Sequence, residues 1–198
     1  MRWDSLFDDL ESQLELELGA EELDLAAEEE RLRLGRLTFR DRLLALLRDG
    51  QAPDAVAVTL RDGETLTVRL SAIGRDWVAG DLVGSGTERP AAVIPLAAIA
   101  ALAPTTAQLA ASVRAESASE TATALSARLG LTFVLRDLCR RRVAIDLVTG
   151  FGRLHGTIDR VGRDHLDLAE HEVGVPRRDS AVVRLRIVPL GAMNLVRF

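Results

Sequence analysis

The sequence has no lysine, no tyrosine and a single cysteine, Cys139. One cysteine excludes an internal disulfide and any zinc or iron–sulfur site built on several cysteines, so the chain has no need of an oxidising compartment. All 25 basic residues are arginines. Because arginine codons are rich in G and C, whereas lysine and tyrosine codons are rich in A and T, we expect a GC-rich genome.

Long apolar runs and catalytic signatures are also missing. No apolar run approaches the roughly 18–20 residues that cross a bilayer, and the acidic N-terminus lacks the apolar core of a signal peptide. We therefore expect a cytoplasmic protein that does not enter a membrane. The sequence has no Gly-x-Ser-x-Gly elbow, no phosphate-binding loop and no dinucleotide fingerprint. We accordingly expect no enzymatic activity and no cofactor.

Charge is distributed unevenly along the chain. Residues 1–33 carry 12 acidic residues and 3 arginines, residues 34–130 are balanced, and residues 131–198 carry 12 arginines and 8 acidic residues. Two interpretations follow. The acidic segment neutralises the basic one, within one molecule or between copies. Alternatively, the basic segment binds an anion and the acidic segment modulates that binding.

The chain contains an internal repeat. Within the segments 56–81 and 143–170, Val56 aligns with Val143 and Leu60 with Leu147, and IGRDWV (73–78) matches VGRDHL (161–166). The similarity extends to both sides of these segments. The further matching pairs are VIPLAAI (93–99) with IVPLGAM (187–193), and LGRLTFRDRLLALL (34–47) with LGLTFVLRDLC (129–139).

Local patterns predict a helix followed by several strands in each repeat. Apolar residues alternate with other residues, which is typical of strands with one buried face. Gly-Arg-Asp at 74–76 and at 162–164 predicts tight turns, and Asp62-Gly63 and Thr149-Gly150 predict hairpin turns. Between the repeats, Thr105 and Gln108 have the spacing of a capping box for a helix that runs to about residue 115.

The predicted fold class is α+β, mainly β, with four parts along the chain. These are an acidic helical extension (1–33), a first β unit with its leading helix (34–103), an Ala/Ser/Thr-rich helical linker (104–128) and a second β unit with its leading helix (129–198). A stripe of apolar residues in the extension has helical spacing and predicts a face that packs on a partner helix or on the β units. It consists of Trp3, Leu6, Phe7, Leu10 and Leu14.

The second repeat resembles the Sm and Sm-like (LSm) family. V-x-I-x-L-x-x-G-x-x-x-x-x-G-x-I-x-x-V-G-x-x-H-L-x-L over 143–168 is similar to the family's first motif, and RIVPLGAMNLVRF (186–198) resembles its second. The resemblance implies two tandem small SH3-like β-barrels, each preceded by a short helix, in a divergent bacterial member. The family forms rings through its fourth and fifth strands, so the resemblance implies that a tandem chain supplies two wedges of such a ring or pairs its two barrels with each other. We therefore expect a homo-oligomer or a protein partner.

The RNA-binding residues of that family do not carry over. Its uracil-binding loop has an Asp and an Asn where this chain has Gly162 and His165 in the second repeat, and Gly74 and Trp77 in the first. The Arg-Gly or Lys-Gly pair of the second motif is also missing. Only the position of the loop is retained, with His165 and Trp77 as candidate stacking groups.

Arginines of the second repeat are the candidate contacts for nucleic acid, because arginine binds phosphate through a forked pair of donors. The candidates are Arg140, Arg141, Arg142, Arg160 and Arg163, together with His165. In the same region His165, Asp167 and His171 offer metal-ligating groups. We interpret them as a solvated strand face and expect no metal site.

Two functions remain open at this stage. The first is a non-enzymatic Sm-like binding module that acts as an oligomeric protein-interaction or scaffold protein. It is favoured by the apolar stripe, the repeat and the missing RNA motif. The alternative is an RNA-binding post-transcriptional regulator that uses the basic second repeat, and it is favoured by the excess of arginine there.

Overall fold

The computed structural model describes residues 22–48, 55–84, 90–114 and 128–198. The chain forms two compact units, Met1–Phe39 and Arg40–Phe198. The described part of the first unit is largely a helix, α1 (22–36), whose side chains are mostly exposed. The candidate partner face at Trp3, Leu6, Phe7, Leu10 and Leu14 lies outside the described residues. Both repeats lie in the second unit.

The remaining helices each precede or follow a repeat. They are α2 (Phe39–Arg48), α3 (Thr106–Val113) and α4 (Leu131–Arg140). The first repeat contains five strands, which are β1 (Val56–Leu60), β2 (Thr65–Ile73), β3 (Trp77–Leu82), β4 (Ala91–Pro95) and β5 (Ile99–Ala103). The second repeat contains five more, which are β6 (Ala144–Thr149), β7 (Gly152–Val161), β8 (His165–Glu170), β9 (Arg184–Pro189) and β10 (Met193–Arg197).

All ten strands belong to one antiparallel sheet. Their order is β5-β1-β2-β3-β4-β10-β6-β7-β8-β9. The chain is thus α+β and mainly β, as the sequence predicts. The pairings of the described strands leave the sheet open, with β5 and β9 at its two edges. They do not show two closed tandem barrels.

The strand order repeats within the sheet. Each half has the order fifth-first-second-third-fourth strand, and the halves are joined by pairing of β4 with β10. The predicted turns are confirmed. The Gly74 N–H donates to the Trp77 carbonyl and the Gly162 N–H to the His165 carbonyl, both at 2.8 Å. Gly63 has a φ of +87°, which a glycine adopts without strain.

The register of the first strands differs from the sequence alignment. Val58 pairs with Leu66 and Leu147 pairs with Leu154, so Val58 corresponds to Leu147. The alignment placed Leu60 opposite Leu147, which is wrong by two residues. A slip of two residues keeps every side chain on the same face of a strand. The apolar pattern therefore could not detect it.

The capping box predicted for the segment between the repeats is confirmed. The Gln108 N–H donates to the Thr105 hydroxyl at 3.2 Å, and the Thr105 N–H donates to the Gln108 side chain at 2.8 Å. The helix that begins there, α3, ends at Val113. Its Ser112 hydroxyl accepts from the guanidinium of Arg42 in α2, at 3.0 Å, and ties α3 to the first repeat.

The two repeats share their hydrophobic cores. The core of the first repeat includes Val148 and Leu195 from the second repeat. The core of the second repeat, which packs against α4, includes Trp77 and Val93 from the first. Each core is therefore incomplete without the other repeat, and we expect the two to fold as one cooperative body.

Candidate functional site

The junction between the repeats is formed by two antiparallel strands. In β4 and β10, Val93 pairs with Val196 and Ala92 with Arg197. The pairing continues beyond β10, because the Phe198 N–H donates to the Ala91 carbonyl at 3.0 Å. Val93 is only 1% exposed. The edge of β4 is thus paired with the second repeat over residues 91–93.

A polar clamp reinforces the junction from the hairpin between β1 and β2. The Asn194 side chain donates to the Asp62 carboxylate at 2.9 Å, while Arg153 and Arg197 donate to Glu64 at 3.1 and 3.2 Å. The pKa of Asp62 is held below its usual value, first by the Glu64 N–H and then by the Asn194 amide. The clamp therefore connects the first hairpin of one repeat with strands of the next.

The turn between β2 and β3 holds the start of α4. The Leu129 carbonyl accepts from the Arg75 N–H and from the Trp77 indole N–H, both at 3.0 Å. The Leu131 N–H donates to the Asp76 carboxylate at 2.7 Å. This carboxylate satisfies a backbone donor at a helix N-terminus, which otherwise has no partner within the helix.

The second repeat presents the same turn, but no described segment is seated on it. The Leu190 N–H donates to the Asp164 carbonyl at 2.8 Å, just as the Leu96 N–H donates to the Asp76 carbonyl at 2.9 Å. His165 occupies the place of Trp77. Its Nδ1 lies 2.8 Å from the Asp164 carboxylate, and its side chain is half exposed. His165 is thus the first residue of β8, directly after this turn.

Among the described strands, none pairs with the outer edge of β5 or of β9. Ile187 of β9 corresponds to Val93 of β4, yet Ile187 is 74% exposed. Val183 and Leu185 extend this apolar edge and are also exposed. At the opposite edge, β5 presents exposed alanines, among them Ala100. The surfaces buried at the internal junction therefore recur at both ends of the sheet, where no strand of the described chain lies beside them.

An open pocket of about 710 Å³ lies between the corresponding turns of the two repeats. Arg75 and Arg163 of these turns line it, together with Arg136 and the first residues of α4, Leu131 and Thr132. Arg75 is 3.7 Å from the Asp76 carboxylate. Within the described part of the chain, no carboxylate lies within ion-pair distance of Arg136 or Arg163. Asp76 also lines the pocket, so three arginines stand against one carboxylate, and the lining has an excess of positive charge that suits an anion.

The predicted arginine cluster is divided in the structure. Arg140 and Arg141 pair with Asp137 at 2.6 and 3.5 Å, and Arg142 pairs with Asp159 at 2.8 Å. These three arginines lie at the C-terminal end of α4, which is about 13 Å from its first residue at 1.5 Å per residue. They are therefore separate from the pocket.

Asp159 explains the position of Arg142. Its carboxylate accepts two hydrogen bonds from Arg177, at 3.0 and 2.8 Å, and one from Arg142. These guanidinium groups, Arg177 first, hold the pKa of Asp159 below its usual value. Arg142 thus connects the end of α4 to β7 and has a structural role.

The other predicted residues do not form one group either. Arg160 is exposed on β7, and Arg163 is the one predicted arginine that lines the pocket. His171, considered with His165 as a metal ligand, is buried instead, with its Nε2 2.9 Å from the Thr157 hydroxyl. Among the described residues no cluster of three metal-ligating side chains forms.

Several residues of these surfaces were missed by sequence reasoning. Arg75 and Arg136 lie far apart in the chain and line the same pocket only in the folded protein. Leu185 and Ile187 alternate with arginines, and this alternation is the same for a strand with a covered edge and for one with a bare edge. The only available signal was their match to β4.

No helix within the described ranges is long and apolar enough to span a membrane. Comparison of the chain with protein-family models, with curated proteins and with solved structures found no match. The resemblance to the Sm-like family therefore stays a prediction, which rests on the sequence motifs.

Proposed function

We propose that the protein is a non-enzymatic scaffold built from two tandem Sm-like units, which assembles by joining β9 of one copy to β5 of the next. One observation carries the proposal. Val93 and Ile187 occupy the same position in the two repeats, but Val93 is 1% exposed and Ile187 is 74% exposed. β10 lies beside Val93, whereas no described strand lies beside Ile187 at the outer edge of β9.

The strand chemistry supports the same pairing. An edge strand presents a row of unpaired backbone N–H and C=O groups that another strand can satisfy. Since β5 and β10 occupy the same place in their repeats, a β5 edge can bind β9 in the way that β10 binds β4. Contact between two different surfaces of identical chains is head-to-tail, and it closes into a ring when the rotation per copy permits.

Sedimentation velocity of the full chain over a range of concentrations tests the assembly. We expect a discrete assembly of several copies, which the Ile187→Arg variant converts to monomer because a charge cannot be buried unpaired at the junction. Phe133→Arg is the matched control, since Phe133 is 54% exposed on α4, which packs chiefly on the inner strand β7. A wild-type chain that stays monomeric, or an Ile187→Arg chain that assembles normally, would contradict the scaffold.

RNA-binding regulation is the second candidate function, and the cationic pocket favours it. Arg75, Arg136 and Arg163 surround a space of about 710 Å³ and supply forked donors for phosphate. RNA is the candidate ligand because the pocket lies between the two turns at the predicted loop position.

Fluorescence anisotropy with uridine-rich and mixed RNA, titrated from low to physiological salt, tests this second candidate. If RNA binds in the pocket, Arg136→Ala with Arg163→Ala lowers the salt slope by about one for each phosphate that the variant no longer binds. Arg160→Ala, a change of an exposed arginine of β7 that does not line the pocket, serves as the control. Absence of binding at low salt leaves the scaffold as the function.

A further inference from the structure

An exposed phenylalanine stands at the tip of the hairpin between β6 and β7. Phe151 is 60% exposed. The turn beneath it is held by Thr149, whose hydroxyl donates to the Gly152 carbonyl at 2.7 Å and accepts from the Phe151 N–H at 3.3 Å. Strand pairing of Thr149 with Gly152 closes the same turn. The Phe151 ring is thus exposed to solvent on a short turn that is held by hydrogen bonds.

The corresponding hairpin of the first repeat, between β1 and β2, already contacts the second repeat. Its tip residue Asp62 accepts from Asn194, which is buried in β10. The neighbouring Arg61 donates to the Gly191 carbonyl at 2.9 Å, in the turn that precedes β10. The hairpin tip of the first repeat therefore contacts the last strand of the second.

The residues that would face Phe151 can be identified from the repeat. A short turn, Leu96–Ala98 or Leu190–Ala192, leads into each fifth strand, so Asn194 corresponds to Ala100 and Gly191 to Ala97. Both alanines are exposed. When β5 of a second copy lies beside β9, the hairpin tip that carries Phe151 meets Ala100 and Ala97. A large apolar ring then faces two methyl groups.

We propose that Phe151 is the residue by which the second repeat of one copy recognises Ala100 and Ala97 of the next. This inference rests on the proposed assembly and adds its contact residue. At the junction of β4 with β10, the Asp62 carboxylate contacts an amide. At the proposed junction of β9 with β5 of the next copy, the Phe151 ring contacts small apolar side chains. If β10 of another copy lay beside β9 in place of β5, the polar Asn194 would face Phe151 and its amide would have no partner. This cost disfavours pairing of β9 with β10.

Disulfide trapping between two differently marked chains tests the contact. Both chains carry Cys139→Ser, one also carries Phe151→Cys, and the other also carries Ala100→Cys. We expect the mixture to form a disulfide-linked heterodimer under mild oxidation, because a disulfide forms only when the two Cα atoms approach within about 7 Å. A Phe133→Cys chain mixed with the Ala100→Cys chain is the control and remains unlinked.

The possible outcomes separate this inference from the proposed function. If the wild-type chain assembles but residues 151 and 100 do not crosslink, the scaffold stands and the contact is wrong. Crosslinking of Phe151→Cys chains to one another shows a symmetric contact and overturns the inference as well. A wild-type chain that is monomeric at all concentrations overturns both.

Affinity provides an independent readout of the same contact. Phe151→Ser weakens self-association by about tenfold or more, as expected for an aromatic residue that supplies a large share of the binding energy. Phe133→Ser removes a ring of similar exposure and leaves the dissociation constant unchanged. Equal effects of the two substitutions would show that removal of exposed apolar surface, rather than this contact, governs assembly.

Discussion

The indole nitrogen of Trp77 donates a hydrogen bond to the carbonyl of Leu129, 3.0 Å away, and so connects the first repeat to the start of the second. Trp77 is 6% exposed and belongs to the core of the second repeat. Its counterpart His165 is half exposed, with no segment of the described chain seated against it. The turn before Trp77 therefore binds the start of the second repeat, whereas no described segment binds the turn before His165.

Replacing Trp77 is expected to destabilise the whole compact unit Arg40–Phe198, which contains both repeats. Trp77→Ala removes a buried ring and a hydrogen bond, and we expect it to lower the free energy of unfolding by about 3–5 kcal/mol. His165→Ala, at the corresponding exposed position, should cost less than about 1 kcal/mol. Urea denaturation followed by circular dichroism measures both. Similar decreases for the two variants would contradict the structural role of Trp77.

The glycines of the two turns provide a matched pair. A Cβ at residue 74 would lie 2.1 Å from the ring of the buried Trp77, and a Cβ at residue 162 would lie 2.5 Å from the His165 ring, so both would overlap a ring. Because His165 is half exposed, its ring can turn away. We expect Gly74→Ala to cost on the order of 1–3 kcal/mol or more, and Gly162→Ala to cost clearly less. Thermal unfolding of both variants checks the order, and a larger decrease for Gly162→Ala would refute it.

The shared cores predict that the repeats unfold together. Leu195 belongs to the second repeat in sequence but is buried in the core of the first. Leu195→Ala should lower the free energy of unfolding by about 2–5 kcal/mol while keeping a single transition. Native-state hydrogen exchange should then show reduced protection in β1 and β7 alike. Two separate transitions, or a reduction confined to one repeat, would mean that the repeats are independent.

Acid should weaken the connection between α4 and β7. The pKa of Asp159 is lower in the folded protein, chiefly because of Arg177, so its carboxylate stabilises the fold above the usual pKa of aspartate. That contribution disappears as pH falls through the lowered pKa. We expect Asp159→Asn to cost about 1–2 kcal/mol near pH 7, because its partly buried charged hydrogen bonds to Arg177 and Arg142 are weakened. The difference from the wild type should shrink at low pH.

Urea denaturation of the wild type and Asp159→Asn between pH 7 and pH 3 measures this dependence. Asp167→Asn is the control, since its carboxylate is partly exposed on β8 and forms no ion pair with a described residue. A difference between wild type and Asp159→Asn that stays constant over this range would show that the Asp159 carboxylate does not contribute through its charge.

Local sequence signals predicted the elements of each repeat because their causes are local. Glycine permits the turn at Gly63, and the Thr105–Gln108 capping box satisfies orphan donors at the start of α3. The same reasoning grouped Arg140, Arg141 and Arg142 with Arg163, since it measured proximity along the chain. Folding instead pairs the first three with carboxylates and brings Arg163 towards Arg75, so the pocket could not be predicted.

The duplicated pattern of helix, strands and turns follows from the amino-acid sequence, since apolar alternation and turn residues act over a few neighbouring positions. Which of the repeated surfaces are covered depends on how the two repeats pack. Val93 and Ile187 belong to the same pattern, but the joining of β4 to β10 buries the first and leaves the second exposed. The physical reason is that a strand edge offers the same backbone donors and acceptors wherever it occurs, so its covering depends on the strand that the fold places beside it.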